Sequence, residues 1–163
     1  MTREEFEKLV AEEFPDAIPE KFRAKVENVA FLVEDEPSEE VRREEGLADN
    51  ETLLGLYRGI PHTARGDYYG VGNVLPDTIT LYQWPIEDEA EAMLQENDAQ
   101  RVHDFSAEKS LGPRADALRS PSDYHFLSAV RWVIRETIWH EVAHHFGMNE
   151  HEVREREDER DRE

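Results

Sequence analysis

Apolar residues recur at helical spacing along the first fifteen positions of the chain. Thr2 followed by Glu5 forms a capping-box pair, and Phe6, Leu9, Val10 and Phe14 then repeat at helical intervals. The pattern predicts a helix over residues 3–14 that Pro15 stops. Pro19 then opens a short second helix, with Phe22 and Val26 as its apolar stripe. Residues 29–33 are a compact run of Val, Ala, Phe, Leu and Val bounded by charge, which suits a buried strand. Residues 34–52 carry nine acids against two arginines and read as a solvated loop with one helical turn near 38–45.

Two further strands follow. Residues 53–57, ended by Gly59 and Pro61, form the second. Residues 78–82 alternate apolar and polar side chains and form the third, with one buried face. Between them lies a glycine-punctuated loop, residues 66–73. A phosphate-binding role for it would need a basic residue and a helix directly after, and it has neither. Residues 86–94 suit a short acidic helix. Residues 95–122 lose any sustained period, carry Gly112–Pro113 and Ser120–Pro121, and read as a long polar excursion, a lid or an insertion.

Periodicity returns at Ser122 or Asp123, which can cap the longest helix of the chain. Phe126, Val130, Val133, Thr137, His140 and His144 share one stripe, and Ile134, Ile138, Val142 and Phe146 line the neighbouring face. Gly147 ends this helix, and Asn149 with Glu152 can cap another. Residues 154–163 alternate acids with arginines, have no apolar face, and suit a frayed helix or a charged tail. One domain over residues 1–153 with an insertion near 95–122 accounts for the pattern. Its class is α+β.

Composition narrows the chemistry. A net charge of −20 disfavours nonspecific attraction to nucleic acid or an anionic membrane surface. With no cysteine, disulfides, thiolate metal sites and cysteine nucleophiles are excluded, so any metal must be held by nitrogen and oxygen. The N-terminus is acidic without a signal-peptide core, and no run nears the ~18 apolar residues of a membrane span; a cytoplasmic protein is the expectation.

The chemistry-bearing stretch is His140-Glu141-Val142-Ala143-His144, an HExxH motif. Two histidines four apart project from one helix face and can reach a single metal ion, while Glu141 can meet a water at the ion's open position without ligating it. Two imidazoles continuing an apolar stripe need polar partners, and a metal supplies one to both. A catalytic zinc takes three protein ligands. Glu150, three residues beyond Gly147, stands where the extended pattern brings the third; His151 competes one residue on, and register favours Glu150. His145 faces away from His144 and suits a supporting or surface role.

This motif with an acid at 150, together with residues 53–61 (LLGLYRGIP) and 75–82 (LPDTITLY), resembles the small bacterial zincin-like metallopeptidases, the so-called minimal metalloproteases. The resemblance extends over most of residues 1–86 and 123–153. It implies a compact α+β zincin-like domain with a small mixed sheet of three to four strands packed against the active-site helix, metal ligands at His140, His144 and Glu150, and Glu141 as the catalytic residue. It departs in a longer segment near 87–122 and in the extra His151. The resulting expectation is a zinc-dependent peptidase acting on a peptide or protein substrate through a metal-activated water, with Glu141 as general base. A tyrosine from the 68–70 loop can serve as a second carbonyl donor, and the strand at 78–82 can align an extended peptide by its edge. The alternative is a metal-binding interaction module of the same fold with little or no peptidase activity. Another divalent metal can replace zinc in such a donor set.

Overall fold

The computed structural model describes residues 1–65, 75–95 and 121–160. Helix α1 (Arg3–Ala17) opens with the anticipated capping box, Thr2 accepting from Glu5 N–H while the Glu5 carboxylate accepts from Thr2 N–H. It runs through Pro15 and ends only at Ile18. A proline this close to the C-terminus forfeits one hydrogen bond, to the carbonyl four residues back, and the continued turn buries Ala17 and Ile18. Helix α2 (Glu20–Arg23) follows, with Pro19 as its N-cap.

Strand β1 (Val29–Glu34), helix α3 (Glu39–Glu44), strand β2 (Gly55–Arg58), a 3₁₀ turn (His62–Ala64) and strand β3 (Asp77–Tyr82) come next. The sheet order is β1-β3-β2, with β1 parallel and β2 antiparallel to β3. This differs from the strand-by-strand expectation in two respects. The first strand is an edge, half-buried, with Leu32 43% exposed. The third is central, with β1 and β2 paired along its two edges, and nearly all of its residues are buried. Since both sides of β3 are paired, it has no edge to offer a peptide; that edge belongs to β2.

Helix α4 (Gln83–Gln95) starts three residues earlier than its acidic pattern suggests, as Gln83 donates to Met1 O and to Glu87. Helix α5 (Pro121–His145) is the long helix, and its Val130, Ile134 and Ile138 meet Phe6, Leu9, Ile79, Leu81 and Ile86 in the core. Arg131 pairs with Glu12 and Glu13, tying α1 to α5 outside that core. Gly147 closes α5 at φ +92°, a left-handed turn with no room for a side chain against Thr63. Asn149 and Glu152 cap helix α6 (Glu150–Arg160) as the sequence suggests. Residues 154–160 are therefore helical, and Val153 is buried beneath them. The glycine-rich loop and most of the 95–122 excursion lie outside the described residues. No described helix is long and apolar enough to cross a membrane.

Candidate metal centre

One face of the last turns of α5 forms the floor of a cleft of about 490 Å³, walled by β2, the 60–64 turn and the start of α6. His140 and His144 stand one turn apart on this floor, each half-buried. Their rings meet edge to face with centroids 4.9 Å apart, and their Nε2 atoms are 3.2 Å apart. Glu150 comes over from the first turn of α6, its Oε1 3.0 Å from His144 Nε2 and 3.6 Å from His140 Nε2. The three ligand atoms lie within 4.8 Å of one another. His151 points to Glu155 at 3.6 Å instead and is largely exposed.

The far side of each imidazole fixes its protons. His140 Nδ1 lies 3.0 Å from Glu157 Oε1, and His144 Nδ1 lies 2.9 Å from the carbonyl of Met148. A carboxylate and a carbonyl only accept, so each Nδ1 donates there, and in a ring whose only proton is on Nδ1 the Nε2 atom is the one left to ligate. This donor set fits a metal ion. For zinc–nitrogen bonds of about 2.05 Å in tetrahedral geometry the two nitrogens would sit about 3.3 Å apart, close to what is found. Two imidazole nitrogens and a carboxylate suit zinc while leaving room for a fourth position. Burial lowers the basicity of His140, but the hydrogen bond to Glu157 and the charges of Glu141, Glu157 and Glu150 outweigh it, and its pKa is raised.

Glu141 lies beside this pair on the cleft floor and is only 7% exposed. Its Oε2 accepts the backbone N–H of Tyr57 at 2.7 Å. Burial raises its pKa, against the opposing pull of His140, His144 and that N–H; the charge of Glu150 adds to the rise. Gly55 makes room for it: a Cβ there would fall 2.7 Å from Thr137 Cγ2 and 2.9 Å from Glu141 Cγ.

Behind the metal ligands is a buried network that the periodicity did not single out. Asp77, 4% exposed at the head of β3, accepts from Tyr57 O–H at 2.8 Å, Arg65 Nη2 at 2.5 Å, Ile60 N–H at 3.3 Å and His145 Nδ1 at 3.1 Å. His145 is fully buried and is not a surface residue. Burial and the nearby charges of Arg65 and His62 lower its pKa. One signal for Asp77 was available: it shares a strand face with Ile79 and Leu81, so an acid there had to be buried and paired. Glu157 also had a signal, since Glu150, Val153 and Glu157 recur at steps of three and four and share one face of α6. Tyr68 and Tyr69, the expected second donors, lie outside the described residues.

Among curated proteins none matches the chain. The sequence profile of the zincin-like metallopeptidase family matches residues 26–104 and 126–160, a span that includes all three strands, the histidine pair, Glu141, Glu150 and Glu157. With most of its length so matched, the chain belongs to the zincin-like metallopeptidase family.

Proposed function

We propose that the protein is a zinc-dependent peptidase in which His140, His144 and Glu150 hold the ion and Glu141 is the general base. The observation that carries this reading is the convergence of the His140 and His144 Nε2 atoms, 3.2 Å apart, on the Glu150 carboxylate, with a second, buried carboxylate, Glu141, alongside. A zinc ion bound there would supply Lewis acidity for the scissile carbonyl and lower the pKa of water toward ~7.

The remaining chemistry falls to the chain. Glu141 accepts the proton of the attacking water on its carboxylate and returns it to the leaving amine nitrogen as the peptide C–N bond breaks. Its raised pKa suits both transfers, because a more basic carboxylate takes the proton more readily and holds it until the amine needs it. The edge of β2 is placed to orient an extended peptide. Tyr82 N–H bonds to Leu54 O, so by antiparallel alternation the backbone groups of Gly55 and Tyr57 face away from β3; with the Tyr57 N–H held by Glu141, the Gly55 groups and the Tyr57 carbonyl are what this edge offers a peptide. The peptide therefore adds to β2, where sequence alternation alone had favoured the third strand.

Peptide hydrolysis on a broad library tests the reading. Removal of metal with a chelator should abolish cleavage and stoichiometric zinc should restore it. Cleavage unaffected by chelation, with less than about half an equivalent of metal in the purified protein, would refute it.

A further inference from the structure

Asp77 does not line the cleft, yet it touches Tyr57, the donor of the hydrogen bond that holds Glu141, and His145, one helical turn beyond Glu141. We infer that Asp77 is a positioning residue for Glu141, acting through Tyr57; the inference rests on the catalytic role given to Glu141 above. Tyr57 is anchored at two ends. Its backbone N–H donates to Glu141 Oε2 at 2.7 Å, and its side-chain O–H donates to Asp77 Oδ2 at 2.8 Å. The same Asp77 oxygen accepts from His145 Nδ1 at 3.1 Å, and His145 lies one helical turn beyond Glu141 on α5. Asp77 thus grips the strand residue that donates and the helix turn that carries the acceptor.

Three further features show that the position is built for a carboxylate. Arg65 neutralises it at 2.5 Å with both side chains almost wholly buried. Ile60 N–H satisfies the second oxygen at 3.3 Å. Gly59 gives it space, since a Cβ there would fall 2.2 Å from Asp77 Cγ. A role confined to stability would need only the Arg65 and Ile60 contacts. The bond to Tyr57 adds a constraint on β2 at the residue facing Glu141, where a shift of about 1 Å is enough to cost catalysis.

The test uses the full chain. In ¹H–¹⁵N spectra the Tyr57 amide proton, bonded to a carboxylate, should resonate downfield, and Glu141→Gln should move it upfield. Asp77→Asn and Tyr57→Phe should each move it in the same direction. In kinetics both variants should lose about tenfold in kcat, with KM and zinc affinity within about twofold of wild type, and the double variant should be no worse than Asp77→Asn. Should Asp77→Asn fail to fold, Tyr57→Phe, which leaves the Arg65, Ile60 and His145 contacts in place, carries the test. A Tyr57 amide unmoved in these variants, or an unchanged kcat, overturns the inference. A wild type that cleaves no peptide refutes the peptidase reading instead, and the Tyr57 amide still decides whether Asp77 sets the position of Glu141.

Discussion

The backbone N–H of Tyr57 reaches across from β2 to Glu141 Oε2 at 2.7 Å, so the strand edge and the candidate base are one hydrogen-bonded unit. Gly55, two residues earlier on the same face, sets how closely the strand can approach. Gly55→Ala places a methyl group 2.7 Å from Thr137 Cγ2 and 2.9 Å from Glu141 Cγ, inside van der Waals contact with both. Overpacking of this kind costs roughly 1–3 kcal/mol, so the variant should melt several degrees lower. Turnover should fall further than stability accounts for, because Glu141 must move. Thermal denaturation and peptide kinetics on the same preparation check this, and a variant that melts lower but turns over normally contradicts it.

Glu157 stands behind His140 at 3.0 Å, holding the ring so that Nε2 faces its partner. Glu157→Ala should weaken zinc binding about 10- to 100-fold, the usual cost of losing a carboxylate behind a ligating imidazole. Truncation after residue 153 should do the same by removing that carboxylate. His151→Ala should leave affinity unchanged, since its side chain turns toward Glu155. Competition with a chromophoric chelator measures all three.

The pH dependence of zinc affinity follows from His140. Its pKa is raised above the ordinary value of ~6.5 by Glu157, Glu141 and Glu150, against the effect of burial. Ligation needs the neutral ring, so affinity should begin to fall, as pH is lowered, above pH ~6.5. In the metal-free protein the same shift acts on stability in the opposite sense: protonated His140 contributes most below the unfolded pKa of ~6.5, and the contribution is lost as pH rises through the higher folded value. Glu157→Gln should move both transitions to lower pH. Zinc dissociation constants from pH 8.5 to 5.5 decide this, and identical profiles for the two proteins would count against it.

Much of the site could be read in the sequence because it is local. His140, Glu141 and His144 are fixed by one helical turn, and Gly147, Asn149 and Glu152 fix the turn into α6, so Glu150 arrives by register alone. The capping box at Thr2 and the strand positions were readable for the same reason. Pairing was not. Periodicity cannot tell which strand is central, and β3 owes its burial on both sides to neighbours 20 to 50 residues away in the chain. The Asp77 network likewise joins residues from 57 to 145, and α1 passes Pro15 because burial of Ala17 and Ile18 outweighs one lost hydrogen bond. Composition misleads at residues 154–160: their alternating charge looks like a tail, yet Val153 anchors the helix and Glu157 faces His140.

Acid stability should carry the signature of Asp77. Burial works to raise its pKa, but the bonds from Tyr57 and Ile60 and the charge of Arg65 hold it below the ordinary value. A depressed carboxylate stabilises the fold above its unfolded pKa of ~3.9, and that contribution is lost as pH falls through the folded value. The stability gap between wild type and Asp77→Asn should therefore be widest near neutrality and narrow below pH ~4. Urea unfolding midpoints from pH 7 to 2.5 measure it, and a constant gap would contradict the assignment.

The comparison of wild type with Glu141→Gln tests the central claim most directly. Both proteins should bind one equivalent of zinc with similar affinity, because Glu141 is not among the converging ligands. The variant should lose at least about 100-fold in kcat on any peptide the wild type cleaves, as expected when a general base is removed. Equal cleavage by the two zinc-loaded proteins would contradict the account.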